Sequence, residues 1–238
     1  MPQMRLDKLL SHLNCGSRKE VQALIRAGRV SVDGTVQKDP AFKVDPDRSQ
    51  TAVDGTVQRY RAQRYYMLNK PMGVITASRD ERHDTVLELF PDELRRGLFA
   101  VGRLDKDTEG LLLITDDGAL SHALMSPSRH VSKVYEAELD GMLVPDAAER
   151  FGAGLTLRDG TVCRPALLEL LPDGRVRVTL HEGKYHQVKR MIAACGATVT
   201  FLKRVQLGGV RLDESLAPGE FRELTEEELG ALRPPDGL

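Results

Sequence analysis

The chain has 238 residues, 41% hydrophobic and 29% charged, enough for one large domain or a large domain with a small one attached, and it holds no apolar run of membrane-spanning length. The N-terminus, Met1-Pro2-Gln3-Met4-Arg5-Leu6-Asp7, lacks a secretory apolar stretch, and Cys15, Cys163 and Cys195 fit neither a disulfide framework nor a zinc site, so a cytoplasmic protein is expected. The net charge of -1 is uneven: residues 1 to 50 carry nine Arg or Lys against six Asp or Glu, leaving the rest at -4, the pattern of a basic appendage for polyanion capture.

Leu6, Leu9, Leu10 and Leu13 recur at helical spacing, and Ser17-Arg18-Lys19-Glu20 is a capping box opening a second helix, with Val21, Leu24 and Ile25 inward and Gly28 closing it. Val30, Val32 and Val36 then flank Asp33-Gly34, a hairpin turn. This arrangement leaves Arg5, Lys8, Arg18, Lys19, Arg26 and Arg29 for the surface, and the helix start at Ser17 is a place for a phosphate. The run Arg5-Leu6-Asp7-Lys8-Leu9-Leu10, then Ser17-Arg18, then Leu24 to Gly34 resembles the alpha-L RNA-binding domain shared by a small-subunit ribosomal protein, tyrosyl-tRNA synthetases and many RNA-modifying enzymes. That resemblance implies structured RNA as the partner and those six basic residues as its contacts.

A polar stretch with Pro40 and Pro46 follows, and Val53-Asp54-Gly55-Thr56-Val57-Gln58 then echoes Val32 to Gln37. Two Asp-Gly turns closing a small domain explain the echo most simply, and Arg59, Arg61 and Arg64 add charge at the junction. The boundary is expected between residues 55 and 64, giving domains 1–60 and 61–238.

In the large domain, Tyr65 to Leu68 reads as a strand ending in the turn Asn69-Lys70-Pro71-Met72-Gly73 with a lysine at its tip, Val74 to Ala77 as a resumed strand, and Thr85 to Phe90 as a short helix stopped by Pro91. Leu98 to Val101 leads into a glycine-bounded polar loop, Gly102 to Gly110, which runs into the buried strand Leu111 to Ile114. Asp116-Asp117-Gly118 turns into a helix over 119–125. In the strand Lys133 to Leu139, period-two alternation sets Tyr135, Ala137 and Leu139 on one face. Tyr135 therefore points inward, where its hydroxyl needs a partner or a ligand. A helix over 145–151, a hairpin of 166–171 with 176–180 around Asp173-Gly174, a helix over 186–195 closed by Gly196, strands near 198–204 and 221, and a last helix capped by Thr225 with Glu228 complete the pattern. Many strands with irregularly inserted helices predict an α+β domain on a mixed, largely antiparallel sheet.

The loop 102–110 holds Arg103, Asp105, Asp107 and Glu109. Read alone it is either the carboxylate pair of a glycoside hydrolase, Asp105 with Glu109, or a salt-bridged turn. His122, His130, His181 and His186 have no metal-ligand spacing and read as surface or hydrogen-bonded histidines; no metal or nucleotide cofactor is implied. Asn69 to Gly73, Gly102 to Leu111, Lys133-Val134-Tyr135 and Glu182 to Met191 resemble, in order and spacing, the motif segments of bacterial rRNA pseudouridine synthases. By that resemblance Asp105 is the nucleophile, Tyr135 the active-site tyrosine and Lys189 the basic residue that pairs with the aspartate, where most members carry Arg. Arg103 fills the gap left by a flipped base or holds a flanking phosphate; Lys70 and Arg190 contact the RNA backbone, and Leu180 belongs with them to the substrate-binding set. His186-Gln187-Val188-Lys189-Arg190-Met191 resembles the form in the branch that modifies 16S rRNA, so the expected partner is 16S rRNA or a small-subunit assembly intermediate, with no cofactor. A 23S rRNA substrate, or a non-catalytic assembly factor that kept the fold, are the alternatives. A monomer is expected, because internal packing accounts for the apolar periodicities.

Overall fold

The computed structural model describes residues 3–13, 15–46, 48–58 and 63–232, and the chain forms two compact units, residues 1–63 and 64–238. Arg59 and Arg61 lie outside the described residues. Among the described residues, no helix is long and apolar enough to cross a membrane.

In the first unit, β1 (Met4–Arg5) leads into α1 (Leu6–His12) and α2 (Arg18–Arg26). The expected capping box is present: Glu20 N–H donates to the Ser17 hydroxyl, and Ser17 N–H donates to the Glu20 carboxylate at 2.7 Å. The Glu20 carboxylate thereby takes up the Ser17 N–H at the start of α2. The helix ends at Gly28, φ 72, whose N–H bonds Ile25 while Arg29 N–H bonds Leu24, satisfying two carbonyls of the last turn. The chain continues through β2 (Val30–Val32), β3 (Thr35–Gln37), β4 (Lys43–Val44), β5 (Thr51–Val53) and β6 (Thr56–Gln58). The two echoed hexamers form twin hairpins: Asp33 and Gly34 have φ of 51 and 79, Asp54 and Gly55 of 50 and 79, the mirror-image turn that suits strand twist. Strands β2 and β5 pair between them, giving one four-stranded sheet ordered β3-β2-β5-β6. Leu6, Leu9, Leu10, Val21, Ile25, Val30, Val32 and Val44 make the core of this unit.

The second unit runs β7 (Tyr65–Lys70), α3 (Asp92–Arg95), β8 (Phe99–Ala100), β9 (Glu109–Thr115), α4 (Gly118–Met125), β10 (Lys133–Asp140) and α5 (Ala147–Ala153). Then come β11 (Leu167–Leu170), β12 (Val176–Leu180), α6 (Gln187–Ala194), β13 (Thr198–Leu207), β14 (Val210–Arg211), β15 (Phe221–Glu223) and α7 (Glu226–Leu232). The main path of the sheet is β11-β12-β10-β13-β9-β7-β15. All its pairs are antiparallel except β13 with β9, which meet through a short parallel register, Lys203 with Glu109 and Arg204 with Gly110. Two antiparallel halves are thus joined at one narrow seam.

Strand β9 explains its own composition. Leu112 and Ile114 enter one core with Tyr66, Leu68 and Phe90, while Leu111 and Leu113 enter a second core with Met67, Leu120 and Leu229. A strand covered on both faces is apolar at every position, which is why it shows no alternation. Arg64, at the foot of β7, is tied to Asp116 at 2.8 Å and to the Leu94 and Arg96 carbonyls, so its charge is absorbed within this unit.

Three local expectations fail. Residues 74–77 make only one bridge, Ile75 to Thr85, because the segment crosses under the loop before β9 instead of joining the sheet. Residues 85–90 form successive tight turns, with Val86, Leu87 and Phe90 buried on all of them; Pro91 precedes a helix, α3, rather than ending one. Proline is well placed before the first helical turn, where the N–H it lacks is not needed. Gly110 lies in β9 and not in the turn: a Cβ there would sit 2.3 Å from the Arg204 carbonyl oxygen, so it is the close approach of β9 and β13 that requires glycine.

Candidate active site

At the seam, a cavity of about 620 Å³ opens between the loop before β9, strand β10, the end of β12, the start of α6 and strand β13. Asp105, Arg103, Tyr135 and Leu180 line it, as do Lys133, Lys184, His186, Val188, Leu202 and Arg204. One carboxylate thus faces several cations and an apolar wall.

The position of Asp105 is fixed from below by the segment that follows β7. Thr76 Oγ1 donates to the Leu104 carbonyl at 2.8 Å and accepts the Leu104 N–H at 3.1 Å. Gly73 N–H donates to the Lys106 carbonyl, and Thr108 N–H closes a turn onto the Asp105 carbonyl at 3.1 Å. Lys70 lies beneath this turn. It is fully buried, its ammonium donating to the carbonyls of Pro71 and Thr108 at 2.9 Å, and burial pulls its pKa down to about 8. Lys70 therefore cannot contact an RNA backbone; it ends β7 inside the protein, because its Cα pairs with Gly110 and the loop folds over it. The Asn-Lys-Pro-x-Gly segment supports the loop through Lys70 and Gly73.

The expected ion pair between Lys189 and Asp105 is also absent. Lys189 pairs with Asp107 at 2.5 Å and holds that carboxyl below its usual range. The basic group nearest Asp105 is His186, whose Nε2 stands 3.6 Å from Oδ1. The cause is helical spacing. His186 is the N-cap of α6, in the left-handed region at φ 48, and Lys189 lies three residues on, along the same face. The two basic groups consequently meet two acids of the loop in turn. The His186 ring is stacked on Tyr185 at 3.8 Å between centroids, and Tyr185 is exposed at the cavity rim.

Tyr135 is buried as alternation requires, and among the described residues no protein group bonds its hydroxyl. Leu180 is buried in the wall beside it. Arg103 is exposed at the mouth and makes no ion pair among the described residues, so it does not brace the loop. Arg190 does not line the cavity; it is committed to Asp159 at 2.5 Å, to Thr161 and to the Tyr185 carbonyl, so the assignment to RNA contact gives way to one in which it ties α6 to the preceding loops.

Within the N-terminal unit the six basic candidates divide. Arg5 and Arg29 each grip a carboxylate with two nitrogens, Asp7 and Asp54, and Arg18 comes within 3.7 Å of Asp7. Lys8, Lys19 and Arg26 are exposed and make no ion pair among the described residues.

Arg204 was missed in reading the sequence. Strand alternation offered the signal: two residues after the buried Leu202, Arg204 falls on the same inward face and is 1% exposed. Thr76, whose hydroxyl clamps the loop twice, carried no comparable signal, because its role depends on a fold-back visible only in three dimensions. Among the described residues, no group of three His, Cys, Asp or Glu could hold a metal ion.

A model of the family described as RNA pseudouridylate synthase matches residues 64–194, and a model of the S4 domain matches residues 4–48. The chain is 47% identical over 237 residues to a protein of Bacillus subtilis (strain 168) named uncharacterized RNA pseudouridine synthase YtzG, covering 98% of this chain and 99% of that one. It is 43% identical over 231 residues to ribosomal small subunit pseudouridine synthase A of Escherichia coli (strain K12), covering 96% of this chain and all of that protein, 100%. A solved structure of a pseudouridylate synthase superposes with a TM-score of 0.69 at 35% identity, covering 97% of this chain and 100% of that one.

Proposed function

The chain belongs to the RNA pseudouridylate synthase family, and on that premise we propose that it isomerises a specific uridine of small-subunit (16S) rRNA, with Asp105 as nucleophile. The observation that carries this reading is the placement of Asp105, held by Thr76, Gly73 and Lys70 at the edge of a cavity sized for a nucleotide, with the free hydroxyl of Tyr135 in its wall.

The reaction breaks the N1–C1′ bond of uridine and joins the same C1′ to C5 of the same uracil, with the C5 proton lost and N1 ending protonated. Atoms balance without a redox partner. The base has to turn inside the pocket, so the target nucleotide is first flipped from its stack, at a cost of a few kcal/mol if paired. Asp105 attacks in its ionised form, and the covalent intermediate keeps the sugar in place while the uracil turns. Tyr135 stacks on that uracil, and Leu180, Val188 and Leu202 exclude water around it. Arg103, exposed beside the nucleophile, takes the position vacated by the base or a flanking phosphate. Lys189 is a positioning residue: through Asp107 it holds the turn that presents Asp105. The S4 domain supplies RNA capture, with Lys8, Lys19 and Arg26 as its free cations.

Two features favour the small subunit over the large: the end-to-end likeness to a small-subunit enzyme and the His186 to Met191 segment. Mapping pseudouridines in the rRNA of cells with and without the gene tests the substrate. Loss of one pseudouridine from 16S rRNA is the expected result; loss confined to 23S rRNA would overturn the choice, and loss from neither would overturn rRNA as substrate.

A further inference from the structure

We propose that Arg204 is a catalytic residue of this site, a fixed guanidinium that stabilises the negative charge on uracil while its bond to ribose is exchanged. The inference rests on the reading of the cavity as a uridine isomerase.

Arg204 is among the largest fully buried side chains of the protein, 1% exposed, and it lines the cavity that holds Asp105. Its Nε donates to the Leu111 carbonyl at 2.8 Å, while its Nη2 is buried and has no hydrogen-bond partner. No carboxylate pairs with it among the described residues. A guanidinium cannot shed its proton in a protein, and burying it without a counter-ion is costly. The fold nevertheless keeps it, beside reacting groups: β13 sets Arg204 across from Tyr135 of β10 and next to Gly110 of β9, five positions after the nucleophile.

The other cations are employed or misplaced. Lys70 serves backbone carbonyls under the loop, Lys184 sits 3.6 Å from Glu182, and Arg103 is outside at the mouth. Lys133 bonds the Val131 carbonyl, and burial, with the charge of Arg204 adding to it, lowers its pKa.

The chemistry supplies the missing anion. When the N1–C1′ bond breaks, its electron pair passes to the uracil ring and spreads over O2, O4 and N1, as a bond from an Asp105 oxygen to the nucleotide forms. When C5 joins C1′, the pair returns to that bond. If Asp105 adds to the base first, charge again accumulates on the carbonyl oxygens. A buried cation held by the fold, present before the charge appears, needs no reorganisation to stabilise it.

Single-turnover rates on one RNA, carrying either uridine or 5-fluorouridine at the target position, test this. Fluorine acidifies uracil, so the leaving base needs less help from the protein. For Arg204→Gln, consumption of uridine should fall about 100-fold, with RNA affinity unchanged and a deficit at least several-fold smaller on the fluorinated RNA. Equal deficits on both substrates, or none, would overturn the proposal and leave Arg204 as a brace for Leu111. Should the glutamine variant not fold, Arg204→Lys is read against the same pair of substrates, with the same outcome deciding. A wild-type protein that consumes neither substrate would instead defeat the proposed function.

Discussion

In the N-terminal unit Arg5 and Arg29 each hold a carboxylate in a two-pronged pair, whereas Arg103 and Arg204 around the catalytic cavity have no carboxylate among the described residues. Composition treats these arginines alike. The fold does not: in one unit their charge joins a helix start or a hairpin turn to its neighbours, and in the other it is left without a carboxylate among the described residues. A paired cation stabilises the protein and adds little to RNA capture, while an unpaired one does the reverse.

The largest effects should come from the cavity. Asp105→Asn should lower turnover by more than about 1,000-fold while RNA affinity stays within about twofold, because capture and chemistry use different residues. Rapid pseudouridine formation by this variant, read by nucleoside chromatography, would remove Asp105 from the mechanism. Gly110→Ala should cost about 3 kcal/mol or more in urea unfolding, since its Cβ would meet the Arg204 carbonyl at 2.3 Å in a left-handed backbone, φ 101. Wild-type stability there would mean that the seam between β9 and β13 is not close-packed.

Smaller effects separate paired from unpaired charges. Lys189→Ala and Asp107→Asn should each reduce turnover about tenfold, and the double variant should be no worse than either, since the two share one ion pair. Additive losses would show that Lys189 acts on some other group. Lys189→Arg should keep part of the activity. In the N-terminal unit, replacing Lys8, Lys19 and Arg26 together by alanine should flatten the salt dependence of RNA binding by about two counterions. Arg29→Ala, which breaks only the Asp54 pair, should leave that slope unchanged. A reversed result would mean that pairing does not predict which cations bind RNA.

The smallest effect is one of pH. Hydrogen bonds from Arg5 hold the buried Asp7 carboxyl far below its ordinary value of 3.8, with Gln22 adding to the effect. The folded form thus binds fewer protons than the unfolded one. Its contribution to stability is complete above pH of about 4 and fades as the pH falls further. Asp7→Asn should weaken the N-terminal unit at neutral pH and narrow its difference from wild type below pH of about 3, as followed by circular dichroism.

Much of the architecture was legible because the governing interactions are local. The capping box at Ser17 to Glu20 and the Asp-Gly hairpins follow from neighbouring residues alone, and the unbroken apolar run Leu111 to Ile114 marks a buried strand. Where tertiary contacts overrode local preference, reading failed: residues 74–77 make one bridge because they brace the Asp105 loop, and residues 85–90 turn repeatedly because Val86, Leu87 and Phe90 are each held by the core.

By itself the sequence determined the parts: a basic helical module, a sheet of short strands, and a loop with Asp105 placed directly before the most apolar strand. Only the tertiary structure decided which charges meet. Lys70 is drawn into the protein because its strand pairs with β9 beneath the loop, and Lys189 reaches Asp107 because His186, one helical turn earlier, stands closer to Asp105. Arg204, ninety-nine positions from Asp105, comes to the same cavity because two antiparallel half-sheets meet through one short parallel pairing. Spacing along a chain sets periodicity and turns, but the compensation of a buried charge depends on neighbours that only folding brings within reach.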